Sequence, residues 1–364
     1  MGKNLELKIC LSRPGKHYHP GEVVTGECVL NLSDYMKLRC LSIEFQGESW
    51  TCWEEIDVYT TTHKNAEIYF HKKTTLFGNS EKKRNQTSSL PPGHHAFQFS
   101  FKIPPYSLPS SFESKHGYVR YWLKARIHRP WRFDEVTKEL VKILSLIDVN
   151  CPRVLLPTFG EAQKSLNCLY NGMASPLKLL AFTDRSAYCP RERMILTTDI
   201  KNLPLTQTYQ TTIFLVQTIS FKSRCGKSRT DRCQRKMVQR SSLSWAVDEL
   251  EVPDVPPTMR SCGILSITYH VKVMLSTREC EGESHLEVEL PVIIGTIPLR
   301  RSYGMVNKLI PATRLTRNYS GECKTFVTIK RGKMLCLPAF VTVTYILVIQ
   351  CLKRRCARNG PWYQ

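Results

Sequence analysis

Leu90 to Trp131 reads LPPGHHAFQFSFKIPPYSLPSSFESKHGYVRYWLKARIHRPW, and its pattern decides the fold. Phe97, Phe99, Phe101 and Ile103 alternate with Gln98, Ser100 and Lys102, a period of two that puts the apolar side chains on one face of a pleated strand. Val119, Tyr121, Leu123, Ala125 and Ile127 alternate in the same way with Arg120, Trp122, Lys124 and Arg126. Between them Pro104, Pro105 and Pro109 exclude a helix and remove ladder donors, so the segment is expected to cross between strands as an ordered loop. Two half-buried antiparallel strands are not stable alone, so a second sheet is expected over their apolar face.

The flanking sequence has the same grammar. Leu5, Leu7, Ile9 and Leu11 alternate, Tyr18-His19-Pro20-Gly21-Glu22 makes a turn, and Val24, Gly26, Cys28, Leu30 and Leu32 alternate again, the meander of a sandwich. Leu41, Ile43 and Phe45 lead to Trp50, Cys52 and Trp53, read as buried anchors near a sheet end. Val136 to Val149 fits a helix and a strand equally by periodicity. Residues 151–175, with Pro152, Pro157, Gly160 and Gly172, read as a connection between domains. Beyond it two landmarks recur in the same order. Tyr188-Cys189-Pro190-Arg191-Glu192 mirrors Tyr18 to Glu22, and Gly263 followed by Tyr269-His270-Val271-Lys272-Val273 mirrors Gly117 followed by Tyr121 to Ala125. This argues for a duplicated sandwich. Leu286, Val288, Leu290, Val292 and Ile294 form a closing strand.

The ordered string Leu90-Pro91-Pro92-Gly93-His94, Leu108-Pro109-Ser110-Ser111-Phe112-Glu113, Gly117 to Ala125 and Arg129-Pro130-Trp131 resembles the core signature of the arrestin-domain-containing proteins, the alpha-arrestins. Leu290 to Leu299 is similar to the end of an arrestin C-domain. The resemblance implies an all-β chain of two tandem arrestin-like (immunoglobulin-like) β-sandwich domains, at 1–150 and 176–299, followed by a basic tail at 300–364. It favours a strand for Val136 to Val149. It also implies an adaptor whose two concave sandwiches bind cytosolic parts of membrane receptors or transporters and direct their trafficking, endocytosis or ubiquitination. Alpha-arrestins commonly recruit ubiquitin ligases through Pro-Pro-x-Tyr; here Pro104-Pro105-Tyr106 lacks the spacer and Gly360-Pro361-Trp362-Tyr363 lacks the first proline. Thioredoxin binding, found in one branch, goes with a Cys three residues before a Trp, and this chain has Ser242 before Trp245.

The chemistry-bearing patterns are as informative by what they lack. At 364 residues, 42% hydrophobic and 23% charged, the chain is long enough for two globular domains. There is no Gly-x-Ser-x-Gly elbow, phosphate-cradling glycine loop or His-Glu-x-x-His, so no enzyme, cofactor or metal is expected. His17, His19, His94 and His95 sit in turns without a nearby carboxylate or thiol pair and read as surface or hydrogen-bonded residues. The fifteen cysteines are scattered, with no Cys-x-x-Cys, and read as reduced and mostly buried. MGKNLELKIC has no apolar run, so a cytoplasmic location is expected, peripheral to the plasma membrane or endosomes.

Charge is the remaining signal. Arg300 to Gln364 holds thirteen Lys and Arg against Glu322 alone, +12 of the formal +21. Lys222, Arg224, Lys227, Arg229, Arg232, Arg235, Lys236 and Arg240 form a second cluster opposed only by Asp231. It reads either as a solvated hairpin whose charges keep a sheet edge from pairing, or as a docking patch for anionic phospholipid or phosphorylated protein. A charge-driven nucleic-acid binder and a retromer-like coat component are the alternatives, but no nucleic-acid motif is present and aromatics are not interleaved with the cations. In the tail, apolar Met334 to Leu352 is flanked by Lys353, Arg354 and Arg355 and spans roughly 28 Å as a helix, near the thickness of a hydrocarbon core. It is expected either to enter a membrane, with Cys351 or Cys356 available for palmitoylation, or to pack as a strand.

Overall fold

A computed structural model describes residues 5–15, 17–56, 59–78, 87–164, 176–202, 209–277 and 286–300, and no helix occurs among them. The strands of the first sandwich are β1 (Leu5–Leu11), β2 (Val23–Leu32), β3 (Met36–Leu38), β4 (Cys40–Ile56), β5 (Thr60–Gly78), β6 (Ser88–Leu90), β7 (Gly93–Lys102), β8 (Phe112–Ser114), β9 (Gly117–His128) and β10 (Glu135–Val141). One sheet runs β1-β2-β7, the other β10-β9-β4-β5 with β8 on β9, and β3 pairs β6. Val119, Tyr121, Leu123, Ala125 and Ile127 are all essentially buried, as their alternation predicts. Val119, Tyr121 and Leu123 share one core cluster with Phe99, Phe101 and Ile103, Ala125 and Ile127 share a second with Cys28 and Leu30 of β2, and Phe45 lies edge-on to Phe70 at 4.9 Å and tilted against Phe101 at 5.8 Å. Each such valine, leucine, isoleucine or phenylalanine contributes roughly 1.5–3 kcal/mol by leaving water.

Three sequence expectations are revised and one ambiguity is resolved. The strands at 97–103 and 119–127 are not partners: β7 and β9 lie in different sheets, and the proline segment carries the chain across the sandwich. Of the aromatic anchors only Trp53 is buried, at 2% exposure; Trp50 points outward and stacks on Tyr118 at 5.7 Å. The segment that periodicity left ambiguous begins with strand β10, paired along β9, the alternative the resemblance favoured. The connection is shorter than its composition suggests, because Phe159–Lys164 forms β11 on the edge of the second sandwich. Its side chains are largely exposed, so alternation could not mark it.

The second sandwich contains β11, β12 (Leu177–Thr183), β13 (Ala187–Tyr188), β14 (Arg193–Lys201), β15 (Tyr209–Lys222), β16 (Ser228–Ser241), β17 (Trp245–Glu251), β18 (Leu265–Thr277) and β19 (Leu286–Ile294). Its sheets run β11-β12-β14-β17 and β13-β19-β18-β15-β16. The duplicated turns have one geometry. Glu22 accepts from the His19 amide at 2.9 Å, and Glu192 accepts from the Cys189 amide at 3.1 Å. Tyr18 and Tyr188 are both buried, each in parallel pairing with a late strand or bridge, at Ile143 and Ile294. Above each ring, at 4.4 Å, lies an arginine that also meets the turn glutamate: Arg13 on Glu22 and Arg185 on Glu192.

Candidate functional site

The basic cluster lies on the β15–β16 hairpin. β15 is central in its sheet and β16 is the edge strand, the position where unpaired backbone groups need charged cover. The turn is closed by Ser223 N donating to Lys227 O at 2.8 Å, with Gly226 in the left-handed region at φ 88°. Met237 and Val238 pack against the core, and the preceding Arg235 and Lys236 are exposed.

The eight cations separate into three environments. Lys222, Arg224 and Lys227 belong to the end of the hairpin that docks on the first sandwich. There Thr51 Oγ1 donates to Lys222 O at 3.0 Å, Arg224 N donates to Lys64 O at 3.1 Å, and Lys227 Nζ lies 3.2 Å from Glu55. Close approach at this seam requires Gly117, since a Cβ there would fall 2.6 Å from Trp50 O and 3.3 Å from Phe221. Arg229, Arg232, Arg235 and Lys236 lie along the edge strand. Arg229 meets Asp231 at 3.3 Å and Arg232 reaches Glu289 at 3.5 Å, both with substantial exposure. Among the described residues no ion pair engages Arg235 or Lys236. Arg240 is folded inward instead: its guanidinium donates to Asp248 at 2.9 Å and to Thr198 Oγ1 at 3.0 Å, with both charged side chains largely buried. It is a structural cation, and the outward patch is narrower than the sequence cluster.

Beside this edge, an open groove of about 380 Å³ separates β16 from the edge strand β17 of the facing sheet. Arg235 and Lys236 border one side, Glu249 and Glu251 the other, and Met237, Val238 and Leu250 contribute apolar surface.

A second constellation was invisible in the sequence. His63 of β5 is 4% exposed, with Nε2 3.2 Å from Glu55 and Nδ1 3.6 Å from Cys225 in the hairpin turn, 162 residues away. No local spacing connects the two. For the nine described cysteines the reading as mostly buried is corrected: Cys28, Cys40, Cys189 and Cys262 are buried and Cys52 is intermediate, but Cys10, Cys151, Cys225 and Cys233 are exposed. His94 and His95 lie in β7, paired along β2, and not in a turn as expected; His19 is hydrogen-bonded to Leu144 O, His94 to Asn31 and His95 to Pro91 O. Among the described residues no three His, Cys, Asp or Glu side chains converge as metal ligands. Met334 to Leu352, Lys353, Arg354, Arg355, Cys351 and Cys356 lie outside the described residues, among which no helix is long and apolar enough to cross a membrane.

Two sandwiches joined in this way define a tandem arrestin-domain protein. Residues 7–150 match the family described as Arrestin (or S-antigen), N-terminal domain, and residues 174–299 match its C-terminal domain. Human arrestin domain-containing protein 4 is 27% identical over 298 residues, covering 77% of this chain and 68% of that protein. Arrestin domain-containing protein 17 of Caenorhabditis elegans is 28% identical over 314 residues, 80% and 70% of the two chains. Human thioredoxin-interacting protein is 23% identical over 301 residues, 80% and 74%. The chain belongs to the arrestin family, in its alpha-arrestin branch, a family of non-enzymatic adaptors.

Proposed function

We propose that this alpha-arrestin is a cytoplasmic adaptor that binds cytosolic parts of membrane receptors or transporters and directs their trafficking, with the edge strand β16 held against anionic phospholipid of the plasma membrane or endosomes. The observation that carries this is the edge itself: Arg232, Arg235 and Lys236 stand exposed on the last strand of a sheet in a chain of net charge +21. Membrane anions attract such a row at about 1 kcal/mol per cation near the surface. A ubiquitin ligase is a further candidate partner, with no Pro-Pro-x-Tyr in these 364 residues to recruit it. The tail would add a second attachment through Met334 to Leu352 and its basic flank, because stable anchoring generally takes two signals.

The test is co-sedimentation of the full chain with phosphoinositide vesicles at low salt. Charge reversal of Arg229, Arg232, Arg235 and Lys236 should weaken binding by several kcal/mol, at about 1 kcal/mol per site. Unchanged binding would return the hairpin to a solvated edge, and proximity labelling that enriched no receptor, transporter or endosomal protein would remove the adaptor reading.

A further inference from the structure

Cys225 is exposed at the tip of the β15–β16 turn, on the second sandwich, directly over a buried histidine of the first. Its Sγ lies 3.6 Å from His63 Nδ1 and 3.0 Å from Ser223 Oγ. The far side of the imidazole is held by Glu55 Oε2 at 3.2 Å. That carboxylate is fixed in turn by Trp53 Nε1 on Oε1 at 3.2 Å and by Lys227 Nζ on Oε2 at 3.2 Å. A thiol, a base within reach of it, and a carboxylate that orients the base form the arrangement that activates a nucleophile at neutral pH. Neither sandwich has it alone: one supplies His63 and Glu55, the other Cys225, Ser223 and Lys227.

We propose that Cys225 is a thiol-modification site assembled by the docking of the two sandwiches, at which hydrogen peroxide oxidises the thiol to a sulfenic acid with His63 acting as the base. The thiol proton passes to His63 Nδ1 and the thiolate attacks one peroxide oxygen. The O–O bond breaks, and the departing hydroxide recovers the proton from His63 and leaves as water. Sulfur loses two electrons and the peroxide gains them. Hydrogen bonding with Ser223, the Lys227 amide and the His63 ring holds the Cys225 thiol down at about 7. The titratable and charged groups facing it are His63 and Glu55 from the first sandwich and Lys227 from its own turn, with Lys64 and Arg224 flanking where their backbones join. The added oxygen must occupy space on the sulfur that now contacts the ring, so oxidation also loosens this point of the seam.

The experiment treats the full-length chain with limiting peroxide at pH 6.5 in the presence of a cyclic 1,3-dione, with peptide-resolved mass spectrometry. Cys10, Cys151 and Cys233, the other exposed thiols among the described residues, are internal references. A larger thiolate fraction, partly offset by lower intrinsic nucleophilicity, makes Cys225 react about five- to tenfold faster than an ordinary exposed thiol. His63→Gln should bring Cys225 to the reference rate and move its pH–rate midpoint up by one unit or more, with Cys151 and Cys233 unchanged. Labelling of buried Cys28 and Cys40 would reveal a variant that fails to fold, and the comparison within the unmodified chain stands without any variant. If Cys225 is trapped no faster than Cys10, Cys151 and Cys233 there, the proposal is overturned.

Discussion

Tyr121 and Tyr269 are one residue of a duplicated sandwich: the hydroxyl of Tyr121 donates to Pro109 O at 2.7 Å, and that of Tyr269 donates to Pro256 O at 2.6 Å. Each ties the late strand of its sandwich to the proline-containing segment that leads into it. Their surroundings differ, since Pro109 is buried and Pro256 is exposed. Removing the donor from a buried carbonyl leaves it unsatisfied, whereas an exposed carbonyl turns to water. Tyr121→Phe should therefore cost about 2–3 kcal/mol and Tyr269→Phe about 1 kcal/mol. Chemical denaturation of the two variants checks this, and an equal or smaller loss for Tyr121→Phe would refute it.

The paired turn glutamates should also separate. Glu192 accepts from Arg185, from the Cys189 amide and, through Oε1, from Leu299 N at 2.9 Å. Glu22 has the equivalent amide but a longer contact to Arg13, 3.4 Å, in a more open site. Glu192→Gln is expected to cost about 2–3 kcal/mol, as for charge-assisted bonds in a shielded site. Glu22→Gln should cost under about 1 kcal/mol, because solvent screens that pair.

Glu22 carries a pH signature as well. The His19 amide, followed by Arg13, holds its carboxyl below the usual carboxylate range. A carboxylate depressed in the folded state contributes stability that is present above the unfolded value and is lost as pH falls through the folded one. The loss therefore begins as pH drops below about 4.3. Glu22→Gln should flatten that part of the stability–pH curve and leave the curve above pH 5 parallel to wild type.

Gly21 and Arg191 occupy the same turn position with φ of 88° and 69°. A left-handed non-glycine residue costs about 1–2 kcal/mol, partly recovered through its more restricted unfolded chain. The Arg191 guanidinium reaches Asp254 only at 3.5 Å with both side chains more than three-quarters exposed, so little is lost with it. Arg191→Gly should be neutral or stabilising by up to about 1 kcal/mol, and Gly21→Ala destabilising by about 1–2 kcal/mol. A clear loss for Arg191→Gly in thermal melts would show that the arginine has a contact of consequence.

Arg240 and Arg235 sit five residues apart on β16 with opposite roles. Arg240→Ala strands Asp248, a largely buried carboxylate, and should cost on the order of 3 kcal/mol. Arg235→Ala, at an exposed site, should change stability by less than about 0.5 kcal/mol while weakening vesicle binding. Melting curves and co-sedimentation on both variants decide the assignment.

The sequence by itself determined the all-β class, the duplication and most of the core. Alternation from Val119 to Ile127 is a local consequence of one face leaving water, and the Tyr18-to-Glu22 and Tyr188-to-Glu192 turns are complete within five residues each, so both are written where they act. Tertiary structure alone decided that β7 and β9 face each other from different sheets, because a proline-rich crossing and a hairpin leave the same alternation on either side. It alone revealed β11, whose solvated edge position removes the apolar signal. It also divided the eight cations, since a partner such as Asp248 or Glu289 is brought to a charge by sheet packing rather than by spacing. Cys225 and His63 meet for the same reason: they lie in different sandwiches, and only the docking of one on the other closes 162 residues of chain to 3.6 Å.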